Sequence, residues 1–292
     1  MIQIKSLSRN EIGLFTPFSL ADACRALAGG KWDKHLKCWR FFDGPQTRID
    51  LHKFVSGLPK DMAVQIDLFE DVQPYEFKTE YLKTNLWKHQ EIVFQKARGL
   101  KGAMLPLKMG DGKTLTALAL ALDKAVRGGF VLILCPLSVV PNWEREIKKH
   151  VTVDFWCCAV NSGTKTKKHQ QISRFLAAQH DGPRALIINY ESARIDLIES
   201  LILGTSWDVT ILDESHKVKT PQGKSAKMCH ALRWVSDYVY ALTGTPAPHS
   251  PLDIFSQYKA IDPGVFGYSF FKFKQLYAVH GGFNGKVVVG YQ

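Results

Sequence analysis

Gly110-Asp111-Gly112-Lys113-Thr114 brings two glycines, a lysine and a threonine together in a chain of 292 residues. Glycines let main-chain N–H groups turn inward around an anion, and a helix opening at the same point adds partial positive charge, so the run suits a phosphate cradle. In it Lys113 would reach the β- and γ-phosphates of a nucleotide such as ATP, and the Thr114 hydroxyl would hold Mg2+. Much further along, Thr210-Ile211-Leu212-Asp213-Glu214-Ser215-His216 is an apolar strand ending in adjacent carboxylates. Such neighbours can divide the chemistry: Asp213 would bind magnesium, directly or through water, while Glu214 would orient and deprotonate an attacking water. Each run alone also reads as something plainer, a helix-capping glycine turn or a solvated acidic turn. Their company, completed by Leu242-Thr243-Gly244-Thr245-Pro246 after the next strand, favours one nucleotide and metal site.

Such a site needs elements that carry its parts to one place. Short apolar, β-branched runs occur at Ala103 to Leu107, Val131 to Cys135, Val153 to Val160, Ala185 to Asn189, Val209 to Leu212 and Tyr238 to Leu242. Between them lie helix-like segments at 113 to 127, 141 to 150, 167 to 180, 192 to 203 and 224 to 235. Strand and helix in alternation predict an α/β fold, a parallel sheet with helices on both faces, and ligands gathered at the carboxyl ends of its strands. The acidic, Pro74-containing stretch from Glu70 to Phe77 has no sustained period and predicts a boundary near residue 78. Ahead of it, residues 17 to 28 read as a helix ended by Gly29-Gly30, with Ser19 or Asp22 near its start, and residues 31 to 42 as a strand-rich turn region. The division expected is therefore a small accessory module over 1–78 and a nucleotide-binding lobe over 79–292, with 250–292 a helical extension whose Phe255, Phe266, Phe270 and Phe273 pack its helices.

Composition narrows the class. An apolar fraction of 46% supports buried cores, and the longest apolar stretches are interrupted by Asp123, Lys124 and Arg127, which excludes a membrane-spanning helix. The formal charge of +11 lies entirely in residues 81 to 292, since residues 1 to 80 balance; a basic segment suits a polyanionic partner. Six cysteines without a C-x-x-C pair, and no export signal in Met1 to Asn10, predict free thiols in a reducing compartment, the cytoplasm or, in a eukaryote, the nucleus.

Taken together the motifs resemble the superfamily-two nucleic-acid ATPases and, within them, the Swi/Snf-type, helicase-like DNA translocases. Met109 to Thr114 matches the end of their ATP motif, Asp213 to His216 their D-E-x-H box, and Leu242 to Pro246 their coupling motif. Leu134-Cys135-Pro136-Leu137-Ser138 with Asn142-Trp143-Glu144-Arg145-Glu146 is similar to the family's second motif, and Asn189-Tyr190-Glu191 to the strand end that follows it. His89-Gln90 resembles the adenine-reading element. The resemblance implies a RecA-like first lobe that binds ATP and Mg2+ and hydrolyses ATP while moving on DNA, duplex or branched. It implies adenine recognition by Gln90, and coupling of the nucleotide to the track through His216, Thr243, Gly244 and Thr245. It also implies a second RecA-like lobe, supplied in trans or by a longer gene product, with arginines that reach the γ-phosphate. Two departures stand out: Leu107-Lys108 replaces the family's acidic pair, and Ala247-Pro248-His249 follows the coupling motif where the family commonly has asparagine. The first 60 or so residues resemble HepA-related (HARP) modules, which would imply recognition of branched DNA; Trp39 and Phe41 there equally suit the core face of a strand. Two rivals from other classes are a non-hydrolysing, ATP-responsive DNA-binding regulator and a small-molecule kinase. The kinase gives no reason for Trp143, Glu146 or the Leu242 to Pro246 motif.

Overall fold

The computed structural model describes residues 2–8, 10–27, 29–59, 62–67, 79–281 and 287–291, so the boundary expected near residue 78 and the stretch before it lie outside the described residues. The first unit contains β1 (Ile2–Ser8), β2 (Glu11–Phe15), α1 (Ala21–Ala26), β3 (Lys31–Asp33), β4 (Cys38–Phe42), α2 (Pro45–Ser56) and β5 (Val64–Asp67). Its sheet runs β3-β4-β2-β1-β5, antiparallel except for the β1–β5 pair. Alternation produces one buried face: Ile2 and Ile4, Ile12 and Leu14, Trp39 and Phe41 pack with Cys24 and Leu51. The helix expected over 17–28 is a 3-10 turn at Phe18–Leu20 followed by α1, and the strand-rich region is the β3–β4 hairpin.

The second unit alternates strand and helix. It contains α3 (Lys88–Arg98), β6 (Gly102–Leu105), α4 (Lys113–Ala125), β7 (Phe130–Cys135), α5 (Val140–His150), β8 (Trp156–Val160) and α6 (Lys165–Ala177). It continues with β9 (Arg184–Asn189), α7 (Tyr190–Ala193), α8 (Asp196–Leu203), β10 (Trp207–Asp213), α9 (Lys224–Leu232), β11 (Ser236–Leu242), α10 (Ile254–Ile261), α11 (Pro263–Phe266), α12 (Phe270–Tyr277), β12 (Ala278–Gly281) and β13 (Val287–Tyr291). Six strands form an all-parallel sheet in the order β6-β11-β10-β7-β9-β8. One core lies beneath α3, α4 and α5 and a second, across the sheet, beneath α6, α8, α9 and α10, which is why the central strands read as nearly continuous apolar runs. The expected RecA-like α/β sheet and small α+β sheet are both present.

One expectation needs correction. The segment 250–292 is helical only as far as Tyr277; Ala278–Gly281 and Val287–Tyr291 pair as an antiparallel hairpin. The β-branched run Val287-Val288-Val289 favours a strand over a helix. The aromatic residues do pack the helices: Phe273 lies 5.1 Å from Phe255, 4.9 Å from Phe266 and 4.7 Å from Tyr277, ring centre to ring centre.

The two units meet at the amino ends of β6 and β11. Asn10 Nδ2 donates to the Ser236 carbonyl at 3.0 Å, Lys101 Nζ lies 3.3 Å from Asp43, and Phe42 packs edge-on to Trp234. Arg233, fully buried, lays its guanidinium 4.5 Å from the centre of the Phe42 ring, and α11 packs against α2 and β4. The carboxyl ends of the strands are left to the motifs.

Candidate active site

Register brings three distant motifs side by side. Leu242 is paired with Leu105 on one side and with Asp213 on the other, so the strand of the T-G-T-P motif lies between the strand feeding the glycine loop and the strand ending in the carboxylates. Beyond Leu105 the chain loops to Gly112 and opens α4 at Lys113, with Thr114 next. Gly110 and Gly112 both have positive φ, +92° and +73°, backbone that favours glycine. At Gly112 the positive φ strains any side chain, and a Cβ would in addition force the Gln90 amide to move. The first N–H groups of α4 have no partners within the helix and are free for an anion.

The loop is braced from two directions. Asp111 closes it internally: its carboxylate accepts from the Lys108 N–H at 3.0 Å, and its own N–H donates to the Lys108 carbonyl. From outside, α3 holds it through Gln90, whose Nε2 donates to the Asp111 carbonyl at 3.1 Å while Oε1 accepts from the Trp87 N–H at 2.8 Å. His89 Nε2 also lies 3.1 Å from that carbonyl. Gln90, expected at the base of a nucleotide, is buried here with its amide engaged on the loop. The turn is thus held without the family's acidic pair, and Lys108 and Met109 stand exposed at its tip.

Asp213 is buried at the end of β10. Trp143 Nε1 donates to its Oδ2 at 2.8 Å, the Glu214 N–H to its Oδ1 at 3.0 Å, and the Tyr190 hydroxyl to its main-chain carbonyl at 2.8 Å. Burial raises the Asp213 carboxyl above the usual range; the Trp143 bond opposes this, the Glu214 charge adds to it, and the ammonium of Lys113 opposes it again. A cation at this place would relieve the cost of burial; a carboxylate is a donor of the kind magnesium takes, and Thr114 stands in the first turn of α4, after the glycine loop. Trp143 and Tyr190 matched family motifs, but their hold on Asp213 was not legible in the sequence: the partners lie 70 and 23 positions away.

Glu214 takes the left-handed conformation, φ +49° and ψ +53°, which no glycine relieves. Such backbone strain concentrates at functional positions. It turns the chain out of the strand into the 3-10 turn Ser215–Val218 and leaves the Glu214 side chain about one-third exposed, with His216 Nδ1 3.2 Å from its carboxylate. Thr243 is buried and accepts from the Thr245 N–H at 3.1 Å. A Cβ at Gly244 would stand 3.8 Å from Lys113 Nζ and 3.6 Å from the Leu107 carbonyl, so the T-G-T-P loop lies against the cradle.

Residues 79–280 match the model of the SNF2-related domain. The chain belongs to this family. Among solved structures, the SNF2-related lobe is similar to the SWI2/SNF2 ATPase core of Sulfolobus solfataricus in complex with dsDNA, at 26% identity and a TM-score of 0.53, covering 72% of this chain and 41% of that one. Among curated relatives, TATA-binding protein-associated factor BTAF1 of Arabidopsis thaliana is 27% identical over 240 residues, 77% of this chain and 11% of the relative. The uncharacterized ATP-dependent helicase YqhH of Bacillus subtilis is 25% identical over 228 residues, 77% of this chain and 37% of the relative. The chain thus spans a minor part of the relatives it matches. As a SNF2-related domain it carries the helicase-like ATPase homology of the family, with the nucleotide binding that this implies.

Proposed function

We propose that this chain is the ATP-binding first motor lobe of a DNA-dependent ATPase, coupling ATP hydrolysis to movement on duplex or branched DNA in concert with a second RecA-like lobe. The observation that carries the reading is the convergence of Lys113, Asp213 and Gly244 at neighbouring strand ends. Lys113 and the opening amides of α4 hold the phosphates. Thr114 and Asp213 would hold magnesium, which would supply charge neutralisation for the phosphates. Glu214 takes the proton of the attacking water, with its left-handed backbone turning it out of the strand and His216 Nδ1 3.2 Å from its carboxylate. Trp143 fixes the Asp213 carboxylate, and Tyr190 fixes its main-chain carbonyl.

A track on the same side of the sheet is supported by charge. A hollow of about 440 Å³ is lined by three basic residues, Lys165, Arg194 and Lys224, and two acidic ones, Glu191 and Asp196. Lys165 and Lys224 begin helices that follow strands of the parallel sheet, which supports a track at its carboxyl edge. The dsDNA of the Sulfolobus complex supports a DNA track for this chain too. The first unit serves as an accessory module that targets DNA or a partner, and the protein works in the cytoplasm or nucleus.

The test is phosphate release with and without duplex DNA, with a second lobe supplied where turnover requires it. DNA should stimulate hydrolysis; Lys113→Ala should abolish nucleotide binding, and Glu214→Gln should keep binding and stop turnover. Unchanged hydrolysis in both variants overturns the reading. Tight binding of nucleotide and DNA without stimulated release would assign the non-hydrolysing regulator instead.

A further inference from the structure

Gln257 lies on α10, outside every motif considered so far, and is fully buried. Its amide works in three directions: Oε1 accepts from Ser215 Oγ at 2.8 Å, and Nε2 donates to the carbonyls of Pro246 at 2.6 Å and Asp253 at 2.9 Å. The Asp253 bond stays within the local chain. The other two join segments that arrive from different strands, since Ser215 follows Glu214 beyond β10 and Pro246 closes the T-G-T-P loop beyond β11. Only a primary amide offers an acceptor and two donors at one side-chain end, as this bridge requires. An aliphatic residue would fill the volume at no desolvation cost, so a buried amide here has a specific task.

We propose that Gln257 is a positioning residue that ties the hydrolytic carboxylate's turn to the T-G-T-P loop, so that a rearrangement at Glu214 on nucleotide binding is passed to the loop. The inference rests on the nucleotide reading above. Neither neighbouring strand pairing does this work, because the pairing of β10 with β11 ends at Asp213 and Leu242 and both turns lie beyond it.

Hydrogen exchange on the full chain, with and without magnesium and a non-hydrolysable ATP analogue, tests the link. In the native chain the analogue should change exchange at 213–218 and at 243–249 together. Gln257→Leu removes the bridge; Gln257→Glu keeps the acceptor for Ser215 and loses the donor to Pro246. In both, the analogue should still protect 213–218, while the response at 243–249 falls about tenfold, the worth of one buried hydrogen bond. Ser215→Ala cuts the other arm by loss of a single hydroxyl and decides the matter if Gln257→Leu does not fold. Variants that respond as the native chain does overturn the proposal and leave the nucleotide reading standing; a native chain that takes no analogue overturns both.

Discussion

Two charged groups are buried at opposite ends of the same sheet, and they are handled differently. Asp213, at the carboxyl end of β10, has its hydrogen bonds from Trp143 and its own turn and still pays for burial with a raised pKa, while Lys113 acts on it from across the cradle. Arg233, at the amino end of β11, is closed in. Its Nη1 donates to the Lys101 and Ile261 carbonyls at 2.9 and 3.3 Å, and its Nη2 to the Ser236 and Asp237 carbonyls and Asn10 Oδ1. The Phe42 ring covers one face, and burial brings its pKa down to about 10. Burial shifts both groups, and Arg233 Nε has no partner among the described residues, so place rather than compensation separates them: the Arg233 guanidinium ties carbonyls of the second unit to Asn10 and Phe42 of the first, whereas Asp213 stands at the strand end beside Lys113.

That contrast can be broken at either end. The largest effect is expected at the carboxyl end: Glu214→Gln should lower hydrolysis by about 10² to 10⁴ while nucleotide titration and thermal unfolding stay close to native. At the amino end the loss should appear as stability instead. Arg233→Met strands several buried carbonyls and the Asn10 side chain, and should cost about 3 kcal/mol in denaturant unfolding, with nucleotide affinity of the folded fraction unchanged.

A third, half-buried group sharpens the comparison because it is kept neutral. His230, on α9, places Nε2 3.1 Å from both the Ser256 carbonyl and hydroxyl, and burial with the nearby Lys259 charge brings its pKa down to about 4. The unfolded chain, with histidine near 6.5, takes up the proton first; this contribution is therefore fully present above about pH 6.5 and is lost as pH falls toward about 4. His230→Gln should flatten that part of the stability profile by up to about 3 kcal/mol, measured by denaturant unfolding across the window. The smallest effect belongs to Trp143→Phe, which keeps the packing and deletes the donor to Asp213. Magnesium-dependent nucleotide binding should weaken about tenfold and metal-free binding should not change, as magnesium titration of a fluorescent nucleotide would show.

Local chemistry was the legible part. The two glycines before Lys113, the carboxylates after an apolar strand and the alternation of strand and helix are patterns of neighbouring residues, and they led to the sheet and to the residues at its carboxyl edge. The first unit was read less fully, with β1, β2, α2 and β5 passed over. Its strands are short, and four of the five pair antiparallel to partners that no local period announces. Asn10 and Arg233 stand 223 positions apart, and nothing near either one points to the other.

The sequence by itself therefore determined that a parallel sheet would form and which side chains would stand at its carboxyl edge, because residue type and period act over a few positions. Tertiary structure alone decided that Trp143 and Tyr190 would grip Asp213, that Gln90 would brace the loop at Gly112, and that Gln257 would bridge two turns. Those outcomes depend on strand order and register, which are set by burial summed over the whole lobe and leave no mark at any single residue.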